Sequence, residues 1–240
     1  MSLKGRVVAV VGGAAGIGKA TAELCAERGA HVIVADVDAA QGVATAAAIG
    51  APFVHLDVTD EASVKACFEA VGRVPGRLDV LVQTAGVLEG AYLPIEEFER
   101  DTFRRVWDVN VTGSFLCAKY AVPLLRKAGG GVILLLSSGA ATGGSSSYAY
   151  GSSKGGVSAL GVTMAQKLAP DGIRVNVVAP GNISTRMKLG VIEADSRRRG
   201  IPADRLVQEA GLGLPAGVAR VLAWLASDEA EYVRGTITTR

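Results

Sequence analysis

Cysteine, histidine and aromatic residues are scarce in this 240-residue sequence, and neither sign of charge prevails. The three cysteines, Cys25, Cys67 and Cys117, are scattered along the chain. An odd, unclustered set argues against a disulfide framework and reads as free thiols in a reducing compartment. The two histidines, His31 and His55, lie in apolar segments without metal-ligand spacing around them. No metal is expected, and each histidine reads as a strand-end residue with a local hydrogen bond. A net charge of +2, with no basic stripe interleaved with aromatics, argues against nucleic acid as a partner. No apolar run approaches the roughly 20 residues that cross a bilayer. The stretch Val7–Val11 follows Lys4 and Arg6 as a leader would, but it is short and breaks into Gly12 and Gly13. No membrane partner is expected, and the expected location is cytoplasmic. Linkers and internal repeats are also lacking, so residues 1–240 read as one domain.

Glycine is what the sequence has in excess. Its 31 glycines stand well above the usual share of roughly 7%. They are spread out, which suggests many tight turns and close backbone approaches. Short apolar runs at 6–11, 31–35, 52–56, 79–82, 131–136 and 174–178 predict buried strands. Between them, apolar spacing near 3.6 predicts helices over 18–28, 61–71, 110–126 and 149–168. Alternating strands and helices, with strands apolar throughout, mean an α/β fold: a single doubly wound, Rossmann-like parallel sheet with helices on both faces. Ligands in such a fold bind outside the carboxyl ends of the strands. Segment 186–215 shows no clean period and contains Gly190, Gly200, Pro202, Gly211 and Gly213. It reads either as a lid over the site or as a surface loop.

The first strand runs into Gly12-Gly13-Ala14-Ala15-Gly16-Ile17-Gly18, and a helix follows. Glycines there allow a tight turn and let backbone approach a pyrophosphate, while the helix N-terminus offers unpaired N–H groups to it. Asp36 ends the second strand. A carboxylate at that place accepts hydrogen bonds from adenosine ribose hydroxyls and repels a 2′-phosphate, which favours NAD over NADP. Further along, Tyr150 and Lys154 stand four apart on a helical stretch, so their side chains are neighbours. A tyrosine titrates near 10 on its own. A nearby ammonium favours the phenolate, which predicts a lowered pKa for Tyr150 and a proton exchanged near neutral pH.

These signals recur in a fixed order: the Gly-x-x-x-Gly-x-Gly turn, Asp36, Asp57, a helix start centred on Asn110, the Ser137-Ser138 pair, Tyr150-x-x-x-Lys154, and the run Pro-Gly-Asn-Ile-Ser-Thr at 180–185. Together they resemble the short-chain dehydrogenase/reductase family over almost the whole chain. The resemblance implies an oxidoreductase passing hydride between NAD and a small-molecule substrate, with Tyr150 moving the proton. It implies cofactor contacts at Gly12, Gly16, Ile17, Gly18, Ala85 and Gly86, with Asp57 and Val58 flanking the adenine. Lys154 would hold the nicotinamide ribose, and Asn110 would support a water-linked proton relay through it. Pro180, Gly181, Ile183 and Thr185 would line the nicotinamide end. One serine would hydrogen-bond the substrate oxygen. Spacing to the tyrosine in relatives points to Ser137, whereas Gly144, six residues after Ser138, points to Ser138 and a one-residue deletion before Tyr150; Ser138 is the expected catalytic serine. A homotetramer or dimer is implied as well. It would be built partly on the helix of Tyr150, whose small residues Gly155, Gly156, Ala159 and Gly161 would face outward.

Three departures from the family pattern stand out. Val11 occupies a place where a threonine is frequent, and Gln83-Thr84-Ala85-Gly86 replaces Asn-Asn-Ala-Gly. Both predict weaker side-chain ties between the first and fourth strand ends. The sequence also stops at residues 238–240, where relatives continue into an Asp-Gly-Gly tail, which bears on the last strand end, the substrate site and one subunit contact. The leading reading is interconversion of a secondary alcohol and a ketone. A 3-oxoacyl thioester reductase is a rival, opposed by Asp36 because such enzymes commonly prefer NADPH. A non-catalytic NAD-sensing regulator is another, opposed by the intact Tyr150/Lys154 pair. The run Arg197-Arg198-Arg199 reads as a solvated face.

Overall fold

The computed structural model describes residues 1–73 and 76–239. Seven strands form one sheet: β1 (Val7–Val11), β2 (His31–Asp36), β3 (Phe53–His55), β4 (Val80–Gln83), β5 (Gly131–Leu136), β6 (Ile173–Ala179) and β7 (Gly235–Thr238). Their order is β3-β2-β1-β4-β5-β6-β7, and every pairing is parallel. The chain winds outward from β1 to β3, then returns to place β4 on the other side of β1. That reversal opens a crevice above the carboxyl ends of β1 and β4.

Central strands carry aliphatic residues on both faces because both faces are covered. On one face Val11, Leu81, Ile133, Leu135 and Val177 pack under α3 (Glu61–Arg73), α5 (Gly113–Lys127) and α7 (Tyr148–Leu168). On the other, Val8, Val10, Val82 and Leu134 pack under α1 (Gly16–Glu27), α2 (Ala39–Ala48) and α10 (Pro215–Ala226). Arg174 is buried on this second face; its guanidinium donates to the carbonyls of Leu225, Ser227 and Ala230, securing the C-terminal end of α10. The three cysteines are free and buried, and burial pushes the Cys25 and Cys67 thiols up to about 12. His31 and His55 stand at strand ends and are exposed.

Four expectations need correction. Segment 186–215 is not irregular: it holds α8 (Arg186–Arg199) and α9 (Ala203–Glu209). Among the residues of α8 only Val191 and Ile192 are buried, so no apolar stripe marks it. Local signals stabilise it instead. The Thr185 hydroxyl accepts from the Lys188 N–H at the N-cap, Gly200 closes it in the left-handed conformation, and Arg197–Arg199 sit at its negative dipole end. Asn110 does not open a helix. It lies in a π-helical turn, Asp108–Thr112, that joins α4 (Arg100–Trp107) to α5 without a break. Not all the small residues of α7 face outward: a Cβ on Gly161 would lie 2.2 Å from Val177 Cγ2, and one on Gly156 would lie 3.2 Å from Trp107. The fourth strand end is tied to the first after all, by Thr84, as described below. A short helix, α6 (Ala140–Gly143), lies between β5 and α7.

Candidate active site

A cleft of about 720 Å³ runs over the carboxyl ends of the strands. Every residue expected to bind cofactor lines it, and so do Ser138, Tyr150 and Lys154; Asn110 alone among the expected site residues does not.

The glycine turn forms one wall. Gly12 has φ of 79°, and a Cβ there would lie 2.5 Å from the Ala85 backbone nitrogen. A Cβ on Gly18 would lie 2.0 Å from the Gly12 carbonyl oxygen, so the first turn of α1 packs directly on the loop. The N-cap residue Ala15 supplies no side-chain bond, which leaves the N–H groups at the start of α1 free to face an anion. Asp36 accepts from the Ala14 N–H at 2.9 Å and from the Asp38 N–H at 3.0 Å. Each carboxylate oxygen keeps a lone pair for a ribose hydroxyl. Asp57 accepts from the Thr59 hydroxyl and N–H, which hold its pKa down. Val58 beside it is buried against Gly113.

Thr84 does what the sequence assigned to absent side chains. Its hydroxyl donates to the Val11 carbonyl at 2.7 Å and reaches the Gly12 carbonyl at 3.3 Å, tying β4 to the glycine turn. The missing signal was geometric: β1 and β4 pair in register up to Val11 and Gln83, so residue 84 projects over the loop.

The catalytic side lies at the ends of β5 and α7. The N-cap Ser147 accepts from the Tyr150 N–H, and one helical turn then separates Tyr150 from Lys154. The Lys154 ammonium lies 5.6 Å from the Tyr150 ring centroid and donates to the Leu136 carbonyl at 2.8 Å. Burial pulls Lys154 down to about 8. Tyr150 is shifted upward, contrary to expectation, because burial outweighs the hydrogen bond with Ser138 that favours its phenolate. The ammonium faces a carbonyl rather than the phenol oxygen, so it does not offset that burial.

The two serines separate cleanly. Ser137 is buried and its hydroxyl is committed to the Lys154 carbonyl and to Ser158, both at 2.8 Å. Ser138 faces the Tyr150 phenol. Asn110 stands behind the cleft. Its amide accepts from the Val87 N–H and donates to the Val87 carbonyl and to the Ser153 hydroxyl, joining the π turn to the β4 loop and to α7. A Cβ on Gly86 would lie 3.2 Å from both Asn110 Oδ1 and Lys154 Nζ, so both groups converge on that glycine. Ser153, next to Lys154, escaped the sequence reading because its partner is 43 residues distant. Arg186, Met187, Lys188 and Val191 of α8 also line the cleft and were hidden in the segment without periodicity.

Known proteins resemble this chain in sequence and fold. The family described as Enoyl-(Acyl carrier protein) reductase matches residues 12–239. The cis-4-hydroxycyclohexanecarboxylate dehydrogenase of Sinomonas cyclohexanicum is 42% identical, over 97% of this chain and 93% of the relative. The trans-4-hydroxycyclohexanecarboxylate dehydrogenase of the same organism is 35% identical, over 96% and 89%. The crystal structure of levodione reductase superposes with a TM-score of 0.90 at 31% identity, covering 98% of this chain and 96% of that one. Family match, relatives and fold agree: the chain belongs to the short-chain dehydrogenase/reductase family and is an oxidoreductase.

Proposed function

We propose that the protein interconverts a secondary alcohol and a ketone with NAD, Tyr150 acting as general acid and base. The observation that carries this is the convergence of Ser138, Tyr150 and Lys154 in the cleft that the glycine turn also lines. Bound NAD would accept hydride in oxidation and its reduced form would donate hydride in reduction. The Tyr150 phenolate takes the proton of the alcohol hydroxyl, and the phenol returns it to the carbonyl oxygen in the reverse direction. The Ser138 hydroxyl donates to that oxygen and steadies its developing charge. Lys154 holds the nicotinamide ribose, and Asn110 positions the loop beside it. The residues fit the cofactor: the Gly12 and Gly18 contacts leave room only for backbone, and the free helix N-terminus suits a pyrophosphate. NAD is favoured over NADP because the Asp36 carboxylate is unfavourable beside a 2′-phosphate.

Names among the relatives support an alcohol as substrate: 4-hydroxycyclohexanecarboxylate carries a secondary hydroxyl on a ring. The buried thiols support a reducing, cytoplasmic setting.

The test is turnover on a panel of secondary alcohols, followed by NADH absorbance, for the parent and for Tyr150→Phe. That change keeps the ring and removes one hydroxyl. Turnover is expected to fall by roughly 10² to 10⁴, the range for a lost acid–base group, with NADH affinity nearly constant. Full activity in Tyr150→Phe overturns the catalytic assignment, and tighter binding of NADPH than NADH overturns the cofactor choice.

A further inference from the structure

We infer that the substrate carries a carboxylate, and that Lys188 is the residue that recognises it. The inference rests on the alcohol–ketone reading above and extends it to the substrate's far end.

Charge around the cleft is uneven. Its acidic lining residues are Asp36 and Asp57, both at the ends of β2 and β3, the half expected to take adenosine. Among the described residues, the half over β4, β5 and β6 has no acid in its lining, but it has cations. Lys154 donates to the Leu136 carbonyl and is assigned to the nicotinamide ribose. Arg186 is exposed and lies toward Asp38, beyond the end of β2. Lys188 also lines the cleft. It is half-buried, and Lys188, Val191 and Asp195 share one face of α8 at helical spacing. Val191 is buried and lines the cleft beside Lys188.

That face continues onto the loop after β4. Asp195 accepts from Arg198 at 2.7 Å and from Arg199 at 3.2 Å, and the Arg198 guanidinium lies 4.7 Å over the Tyr92 ring. Tyr92, held at φ of 64° with its N–H on the Ser146 carbonyl, also lines the cleft. The one acid near Lys188 is therefore claimed by two arginines, and Lys188 makes no ion pair among the described residues. Burial lowers its pKa, as expected for an ammonium short of compensating charge. A half-buried cation at the substrate end, with its neighbouring acid taken, is complementary to an anion. The remaining lining there is apolar or weakly polar: Leu88, Met187, Val191, Ser145 and Ser146. An alcohol with an apolar body and a terminal carboxylate matches that order of groups.

The experiment compares isosteres. Turnover with NAD is measured on 4-hydroxycyclohexanecarboxylate and on 4-hydroxycyclohexanecarboxamide. Binding of cyclohexanecarboxylate and cyclohexanecarboxamide to the NAD-loaded protein is followed by calorimetry. The parent is expected to favour the carboxylate by about tenfold to a hundredfold in both measurements, the usual worth of a charge-assisted hydrogen bond. Lys188→Met is expected to bring the ratio close to one, through KM rather than kcat. Lys188→Arg should keep most of the preference, and Arg186→Met should keep the ratio. A parent that treats carboxylate and amide alike overturns the proposal, as does Lys188→Met with the ratio intact. Lys188-dependent carboxylate binding without any NADH formation would instead sink the alcohol–ketone reading and leave the anion site standing. Equal turnover of both isosteres would do the reverse.

Discussion

Ser137 and Ser138 are adjacent in the sequence, and the structure gives them different work. Ser137 holds α7 through the Lys154 carbonyl and the Ser158 hydroxyl, so it is a structural residue. Ser137→Ala is expected to cost about 1 kcal/mol or more and to lower Tm by ~2–4 °C, as seen by thermal denaturation. Ser138→Ala is expected to leave Tm in place and to cut kcat by about 10²-fold or more, in line with a lost donor at a developing oxyanion. The opposite pattern in a calorimeter and an NADH assay would reverse the assignment. Lys154 makes a second prediction. In the unfolded chain it keeps its proton to 10.5, whereas in the fold it releases it at about 8. Between those values the unfolded state binds more protons, so this group makes the fold more stable as pH rises from about 8 to 10.5. Lys154→Met removes that dependence, with a swing approaching about 3 kcal/mol. The stability of the parent relative to Lys154→Met should therefore grow with pH across the window in denaturant titrations. A difference that stays flat would show that the ammonium is not buried at a cost.

At the scale of elements, the junction of β1, the glycine turn and α1 is the tightest place in the site. The turn bends back under Ala85 and carries α1 on top of itself, with Thr84 stitching β4 to the same carbonyls. Gly12→Ala puts a methyl 2.5 Å from backbone nitrogen and asks an L-residue to hold φ of 79°. Expected are a clear drop in Tm and a weakening of NADH binding on the order of tenfold, 1.4 kcal/mol, in a fluorescence titration. Unchanged NADH affinity would mean that the cofactor does not lie over this turn. Opposite it, the N-terminal part of α8 meets the loop: Thr185 Cγ2 is 3.5 Å from where a Gly16 Cβ would be. The two flanks of the α8–α9 segment are pinned together, since Ser184 N–H donates to the Gly213 carbonyl and Gly213 N–H to the Asn182 carbonyl. Helices α8 and α9 thus hang from a fixed base, an arrangement suited to a lid.

For the whole molecule, no helix among the described residues is long and apolar enough to cross a membrane. What the surface does show is an aromatic patch. Phe98 meets Phe103 and Tyr148 edge to face, and Phe103 stacks on Trp107 at 6.2 Å. Tyr148 and Phe103 are both exposed, as are Ile95 and Leu93. Contiguous exposed apolar surface marks an interaction site more often than bare solvent contact. Together with the open faces of Gly155 and Ala159 on α7, it supports the homotetramer, or a dimer, implied by the family resemblance. Light scattering at micromolar concentration is expected to find an oligomer, and Phe103→Glu to shift it toward smaller species. A stable monomer for the parent would reject both forms.

Local and periodic features were legible in the sequence. Six of the seven strands, the sheet's parallel character, the glycine turn before α1, Asp36 at the end of β2 and the Tyr150/Lys154 turn all depend on residues close in sequence or on a repeating apolar pattern, and each lies where the pattern put it. Tertiary structure decided what depends on contacts between distant segments. It turned Ser137 inward and Ser138 toward Tyr150, because β5 ends against α7 at that register. Through Val87 and Ser153 it used Asn110, 23 and 43 residues away, as a brace inside a π turn rather than at the start of a helix. It made Thr84 the tie between β1 and β4, and it raised Tyr150 by enclosing it where the sequence spoke only of a neighbouring charge. Helix α8 formed from caps and charge rather than from an apolar stripe, because it covers a cleft and has little core to face. Periodicity reports burial against a core; it carries no record of a helix whose inner face looks onto a ligand space.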